Sequence, residues 1–146
     1  MMTPIETASG SGVSADRPRV VMIEDDRASS ELFSAYLEGT GIDVVKARDG
    51  SDGLASVRRH KPAAVLLDIR LPGMNGWDLL TALKSDLSTA RIPVIVLSIV
   101  DERSRGLAMG ATEYLMKPVA RDQLLGALSR IGVTPATRET SRTEEA

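Results

Sequence analysis

The sequence contains no cysteine, which excludes disulfide bonds, thiolate metal sites and cysteine nucleophiles. It has no apolar stretch long enough to cross a bilayer, and its start lacks the basic residues and apolar block of a secretory signal. The formal net charge is −2, so no excess of positive charge is available to attract nucleic acid. We therefore expect a cytoplasmic protein that binds neither nucleic acid directly nor a membrane.

What remains is the composition of one globular domain. Hydrophobic residues make up 42% and charged residues 26% of the 146 residues, which suits a single core. Residues 1–18 are rich in small and polar residues without a period, and we predict a disordered leader there. Residues 132–146 are similarly polar and are predicted to be a flexible tail or the stub of a linker. The domain itself is predicted to span residues 19–131.

Short apolar runs alternate with longer segments of helical spacing. Five runs have the length of strands: Val20–Ile23, Ile42–Val45, Ala63–Leu67, Pro93–Leu97 and Tyr114–Met116. Each precedes a segment whose apolar residues recur at helical intervals, as Leu32 and Tyr36 do. Strands that alternate with helices of this length indicate βα units and a parallel sheet.

The composition of the strands predicts their order in the sheet. The first, third and fourth runs are apolar throughout, as expected for strands covered on both faces. The second and fifth mix charged with apolar residues, which is typical of edge strands. With right-handed crossovers this gives the order 2-1-3-4-5, and we predict a flavodoxin-like, doubly wound (βα)5 fold with a five-stranded parallel sheet.

Polar residues collect where the predicted strands end. The first strand ends in Glu24 and Asp25, the third in Asp68, the fourth in Ser98 and the fifth in Lys117. In an open parallel sheet the carboxyl ends of the strands form one edge, which is where ligands bind. We therefore expect these side chains to share one site.

Such a site favours a divalent cation. Two carboxylates about 4 Å apart repel each other by roughly 4 kcal/mol at an effective dielectric constant of 20. One lysine offsets only part of the repulsion among three acids. Mg²⁺ prefers a few carboxylates together with waters and a phosphate oxygen, and we predict it as the cofactor.

The same residues suit phosphoryl transfer. The Asp68 carboxylate can act as a nucleophile and form an aspartyl phosphate. The Lys117 ammonium can bind the phosphoryl oxygens as a point charge, and the Ser98 hydroxyl can donate a hydrogen bond to them.

Four segments carry a resemblance to a known family. VVMIEDD, LLDIRLPGMNGWDLL, IPVIVLS and GATEYLMKP resemble the response-regulator receiver family, of the chemotaxis-regulator-like kind, in order and in spacing. The resemblance covers roughly residues 19–131. It implies a phosphoacceptor switch of a two-component or phosphorelay system, which is not an enzyme beyond self-phosphorylation and slow autodephosphorylation. A histidine kinase or histidine phosphotransfer protein would be the donor, and a further, unknown protein the target.

The resemblance also implies a role for each residue of the site. Asp68 is the phosphoacceptor, and Asp25 and Asp68 bind Mg²⁺ together with the backbone carbonyl of Arg70, with Glu24 as the second member of the acidic pair. Lys117 and Ser98 bind the phosphoryl group, and Tyr114 is the aromatic switch residue. The Lys117–Pro118 bond is often cis in such proteins.

Three residues depart from the family's pattern. The position after Ser98 is usually small but is Ile99 here, with Val100 next, and Arg70 lies two residues past the acceptor. Our hypothesis is that Ile99 and Val100 narrow the access of water and small donors, so that the phosphorylated form persists. Replacement of Ile99 by Ala is then expected to speed its decay.

Several residues have simpler interpretations. We interpret Asp26 as a helix N-cap rather than a ligand. Tyr114 suits packing in a strand as well as switching. Trp77 is predicted to pack near the start of the third helix, partly exposed. His60, the only histidine, is predicted to be a surface residue, so no histidine relay within the chain is expected.

Three other classes of function remain open. An adaptor of the same fold would bind partners without being phosphorylated, although such proteins typically lose the acceptor or the lysine, and both are present here. An Asp-nucleophile hydrolase would carry its acidic pattern on the first strand rather than the third. A nucleotide-binding flavodoxin relative would need a glycine-rich fingerprint, which is missing. The domain is expected to be either a stand-alone protein or a piece of a hybrid kinase.

Overall fold

The structure is a computed structural model that describes residues 17–135. Most of the predicted leader and of the predicted tail lies outside the described residues. Of the leader, Arg17 and Pro18 lie against an edge strand: Arg17 forms a salt bridge of 3.0 Å with Asp43, and the Asp43 N–H donates to the carbonyl of Pro18. Of the tail, Val133 is buried.

Five strands alternate with five helices along the chain. The strands are β1 (Arg19–Ile23), β2 (Asp43–Ala47), β3 (Ala64–Asp68), β4 (Val94–Ser98) and β5 (Glu113–Met116). The helices are α1 (Arg27–Leu37), α2 (Gly50–His60), α3 (Gly76–Ser85), α4 (Arg103–Ala108) and α5 (Arg121–Arg130). Within residues 17–135, none of these helices has the length and apolar content that crossing a bilayer requires.

The strands form one parallel sheet in the order β2-β1-β3-β4-β5. The prediction that the two charged strands lie at the edges is therefore confirmed, as is the flavodoxin-like arrangement. Because all strands run in the same direction, their carboxyl ends lie along one side, here called the carboxyl edge. Their amino ends lie along the other, the amino edge.

The core consists of two layers, one on each face of the sheet. Alternate residues of a strand point to opposite faces, so β1 sends Val21 and Ile23 to one layer and Val20 and Met22 to the other. The first layer is covered by apolar residues of α2 and α3, and α4 lies on the same side over Tyr114. The second layer is covered by α1 and α5. This explains why the three inner strands are continuously apolar.

Local signals set the limits of the helices. The carboxylate of Asp26 accepts from the N–H of Ser29 at 2.9 Å, which confirms Asp26 as the N-cap of α1. Lys61 adopts a left-handed conformation (φ 46°) and ends α2 before Pro62. Gly132 is left-handed (φ 93°) after α5, and this lets the N–H of Val133 donate to the carbonyl of Leu128.

Candidate functional site

The ends of four neighbouring strands bring the predicted residues together at the carboxyl edge. Glu24 and Asp25 directly follow β1, Asp68 ends β3, Ser98 ends β4 and Lys117 directly follows β5. The register pairs Asp68 with the residue before Ser98, and the N–H of Lys117 donates to the carbonyl of Ser98 at 2.8 Å. Strand pairing therefore holds the backbone of the site.

Three carboxylates form the centre of the site. Glu24, Asp25 and Asp68 each offer an oxygen, and these oxygens lie within 4.8 Å of one another. Glu24 and Asp68 are buried, whereas Asp25 is exposed. We call these three residues the acidic triad. Three carboxylates at this spacing are a set of hard oxygen donors that fits a cation such as Mg²⁺.

A single ammonium lies against the two buried acids. The Nζ of Lys117 is 3.0 Å from Oε1 of Glu24 and 3.2 Å from Oδ2 of Asp68, and its side chain is largely buried. Burial opposes its charge, but the hydrogen bond to Glu24 and the charges of Asp68 and Glu24 outweigh this, so the pKa of Lys117 is raised. Lys117 therefore stays charged within the site.

The lysine does not neutralise the triad. Burial, followed by the nearby carboxyl group of Asp68, raises the pKa of Glu24 to about 7, although Lys117 acts in the opposite direction. A carboxyl group that gives up its charge near neutral pH shows that Lys117 does not offset both the burial of Glu24 and the negative charge of Asp68 beside it, which leaves an excess of negative charge. A bound divalent cation would remove that excess.

The loop after β3 fixes the orientation of the Asp68 carboxylate. The N–H of Arg70 donates to Oδ1 at 2.9 Å, while Lys117 contacts Oδ2. The loop turns sharply, and the N–H of Gly76 donates to the carbonyl of Ile69. A Cβ at Gly76 would lie 2.3 Å from that carbonyl oxygen, so only glycine allows this approach. The glycines of the PGMNG segment indicate a turn in the sequence, but the close approach of Gly76 to Ile69 could not be predicted from them.

Ser98 and Tyr114 are linked through the loop that follows β4. Ser98 is buried, and its Oγ accepts from the N–H of Val100 at 3.0 Å. The Tyr114 hydroxyl donates to the carbonyl of Val100 and accepts from the N–H of Glu102 at 3.2 Å. Tyr114 is itself buried, so it both packs in the core and holds this loop.

An open cleft of about 570 Å³ adjoins the triad. Its lining includes Asp25, Arg70, Ser98 and Val100, whereas Ile99 is not part of it and is 55% exposed. Of the residues predicted to control access, Arg70 and Val100 therefore face the cleft.

Three further predictions concern residues beyond the triad. Trp77 packs as predicted but is only 7% exposed, so the expectation of partial exposure was wrong, because Arg105 of α4 covers its ring. His60 ends α2 and contacts Arg19 at the amino edge, away from the triad. The Lys117–Pro118 bond is cis, as the resemblance implied.

A five-stranded doubly wound fold with an acidic triad and a lysine at its carboxyl edge defines the receiver class. Residues 20–129 match the family model described as the response regulator receiver domain. The chain belongs to that family, whose members are signalling switches rather than classical enzymes.

Individual relatives agree with this assignment. Protein PilH from Pseudomonas aeruginosa is 36% identical over 116 residues, a match that covers 77% of this chain and 96% of PilH. The DNA-binding response regulator MtrA from Mycolicibacterium smegmatis is 36% identical over 112 residues, 75% of this chain but 48% of MtrA. This chain therefore spans about half the length of MtrA.

One similar solved structure contains a metal ion. The receiver domain of the sensor histidine kinase PA1611 from Pseudomonas aeruginosa has a magnesium ion coordinated in its active-site cleft. It is 28% identical, has a TM-score of 0.73, and the match covers 80% of this chain and 98% of that domain.

Proposed function

We propose that this chain is a phosphoacceptor switch of a cytoplasmic two-component or phosphorelay system. Asp68 takes a phosphoryl group from a phosphohistidine on a kinase or phosphotransfer protein, with Mg²⁺ as cofactor. The modified domain then presents an altered face to a downstream protein. The observation that carries this proposal is the acidic triad with Lys117 3.2 Å from Asp68.

The chemistry follows from the groups around Asp68. One carboxylate oxygen attacks the phosphorus in line, the bond between phosphorus and the donor's imidazole nitrogen breaks, and the imidazole leaves with the electron pair. The Lys117 ammonium holds one phosphoryl oxygen, and the Ser98 hydroxyl donates to another. The triad and the Arg70 carbonyl would hold Mg²⁺, which would neutralise charge on the transferred group.

The switch involves the loop after β4. A phosphoryl group adds a charge of about −1.5 to −2 beside Ser98. Movement of Ser98 toward this group is passed to Tyr114 through Val100. The face formed by α4, β5 and α5 then changes, while the donor docks near α1 and the acidic triad.

The lifetime of the phosphorylated form depends on access to the cleft. Val100 lines the cleft, as does Ser98, whereas Ile99 is exposed and is not part of the lining. We therefore expect Val100→Ala to speed dephosphorylation by a larger factor than Ile99→Ala, as measured by the decay of radiolabelled protein. If the phosphorylated forms of both variants and of the parent protein have equal lifetimes, neither side chain controls the rate of dephosphorylation.

Incubation with a small acyl phosphate tests the main proposal. We expect a mass gain of one phosphoryl group that requires Mg²⁺ and disappears in Asp68→Asn. Asp26→Asn is the matched control, because Asp26 adjoins the triad but serves as an N-cap, a role that asparagine also fills. Modification that persists in Asp68→Asn would contradict the proposal.

The same experiment separates the other classes of function. An adaptor that is never phosphorylated would show no mass gain under any condition. A hydrolase would turn over an added phosphate ester many times, whereas a switch is modified once per molecule.

A further inference from the structure

Lys117 and two acids of the triad come from strands that are not neighbours. Glu24 and Asp25 follow β1 and Lys117 follows β5, and β3 and β4 lie between these two strands in the sheet. Strand pairing therefore fixes the distance between the ammonium and these acids only through two intervening strands. A direct link between β1 and β5 would hold that distance more firmly.

Tyr36 of α1 provides such a link. α1 begins two residues after Asp25, and the hydroxyl of Tyr36 donates to the carbonyl of Val119 at 2.8 Å. Val119 lies two residues after Lys117, whose own N–H donates to the carbonyl of Ser98 at 2.8 Å. The backbone of residues 117–119 is thus held by a hydrogen bond at each end.

The side chain of Tyr36 is itself held in place. Its ring packs against the core layer covered by α1 and α5, with its centroid 6.0 Å from that of Phe33 and the two rings tilted by 56°. The Val119 side chain belongs to the same layer and is 3% exposed. The Nε of Arg121 donates to the Tyr36 carbonyl at 3.2 Å, which is a second contact between α1 and the chain that follows Lys117.

A lysine in such a site benefits from a fixed backbone. The ammonium is carried on a flexible four-carbon stem, and holding the stem in one position costs conformational entropy. The Nζ of Lys117 lies 3.0 Å from Glu24 and 3.2 Å from Asp68. Because the attraction between charges falls with distance, a backbone that leaves the ammonium fewer positions strengthens its contact with an anion bound there.

We propose that Tyr36 is a positioning residue for Lys117, whose hydroxyl, through the Val119 carbonyl, holds the ammonium where it meets a phosphoryl group on Asp68. The inference rests on the proposed function and adds a residue to that site. Tyr36 acts through the backbone of residues 117–119 rather than by contact with the phosphoryl group. Its loss should therefore weaken the binding of a phosphoryl group more than the binding of Mg²⁺.

Tyr36→Phe tests this role, because it removes the hydroxyl and keeps the ring. We expect the variant to bind beryllofluoride, in the presence of Mg²⁺, about three- to fivefold more weakly than the parent protein, within the range that one hydrogen bond accounts for. Its affinity for Mg²⁺ alone should match that of the parent protein, since carboxylate oxygens and not the ammonium would bind the ion. Titration calorimetry measures both affinities.

The matched control is Thr89→Val. Thr89 is buried between the end of α3 and the start of β4, at the amino edge, and its hydroxyl donates to the carbonyl of Leu83 at 2.6 Å. The substitution therefore removes a hydroxyl-to-carbonyl bond far from Asp68, with little change in shape. It should bind both ligands as the parent protein does, and the thermal midpoint of each variant will show that it is folded.

Two results would overturn the positioning role. One is a beryllofluoride affinity of Tyr36→Phe equal to that of Thr89→Val. The other is a loss of Mg²⁺ affinity as large as the loss of beryllofluoride affinity, which would indicate a general disturbance of the site. Absence of Mg²⁺-dependent binding of beryllofluoride by the parent protein would instead overturn the proposed function.

Discussion

The two edges of the sheet use charge in opposite ways. At the amino edge two ion pairs match one charge with one partner: Arg17 pairs with Asp43 and Arg58 with Asp86, all of them partly exposed. At the carboxyl edge the three acids of the triad share one lysine, and two of those acids are buried. Ion pairs at a surface change the free energy of unfolding little. Buried carboxylates that outnumber their cations make that free energy depend on whether a further cation binds. The ion pairs of the amino edge are therefore expected to be insensitive to bound ions, whereas the stability of the carboxyl edge should depend on them.

Loss of the shared lysine should have the largest effect. Lys117→Met leaves Glu24 and Asp68 buried without a cation, and we expect the free energy of unfolding at pH 8 without metal to fall by about 3–5 kcal/mol. Urea unfolding measures this change. Lys46→Met, on the exposed part of β2, is the control and should change it little. A similar loss in both variants would mean that Lys117 has no special role.

The pH dependence of stability should come next in size. Burial raises the pKa of Glu24 from 4.5 to about 7. Between these two pH values the folded state therefore keeps a proton that the unfolded state has lost. Without metal, this contribution is complete below pH 4.5 and disappears as the pH rises through 7, a loss of up to about 3 kcal/mol.

Urea unfolding between pH 4.5 and 8 tests this fall of the free energy of unfolding with rising pH. Glu24→Gln should make this free energy nearly independent of pH in that range. Glu31 is an exposed residue of α1, and Glu31→Gln should keep the pH dependence of the parent protein. A parent protein whose stability rises over this range would contradict the burial of an unbalanced carboxyl group.

Relief of repulsion within the triad should have a moderate effect. Without metal, Asp25→Asn should raise the midpoint of thermal unfolding by about 3 °C, because a carboxylate is removed from beside two others. The variant should also lose the stabilisation that Mg²⁺ gives the parent protein. Asp26→Asn should retain that stabilisation, and a response to Mg²⁺ in Asp25→Asn as large as in the parent protein would exclude Asp25 as a ligand.

The smallest effect is expected at the amino edge. Arg58→Met breaks the pair with Asp86, whose side chains are 53% and 27% exposed, and should cost less than about 1 kcal/mol. The loss should be the same with and without Mg²⁺. A dependence on Mg²⁺ would show that the two edges are coupled, and the contrast between them would no longer hold.

The sequence contained enough information to predict the centre of the site. Apolar runs defined the strands, and the residue that ends a strand lies at the carboxyl edge regardless of the detailed packing. The contacts of Lys117 with Glu24 and Asp68 were therefore expected, since the positions of these residues depend on strand ends alone. The mixed composition of β2 and β5 predicted the two edge strands, because only an edge strand leaves charged side chains in contact with solvent.

Contacts between helices could not be predicted in this way. The stacking of Arg105 on Trp77 depends on the rotation of α4 about its axis and on the absence of a side chain at Gly106. Neither feature can be predicted from the spacing of apolar residues, because α4 has only six residues. The burial of Trp77 was missed for this reason, as was the bond from Tyr114 to the Val100 carbonyl.

The turn at Gly132 has a practical consequence. α5 runs from the carboxyl edge to the amino edge. There the side chain of Val133 is buried in the core, and its N–H donates to the carbonyl of Leu128. Arg17 lies at that same edge beside Asp43, so residues 17 and 135 mark two attachment points on the side remote from Asp68. A shortened chain immobilised on a sensor chip through either point would present its cleft to the solution, ready for a phosphodonor flowing past.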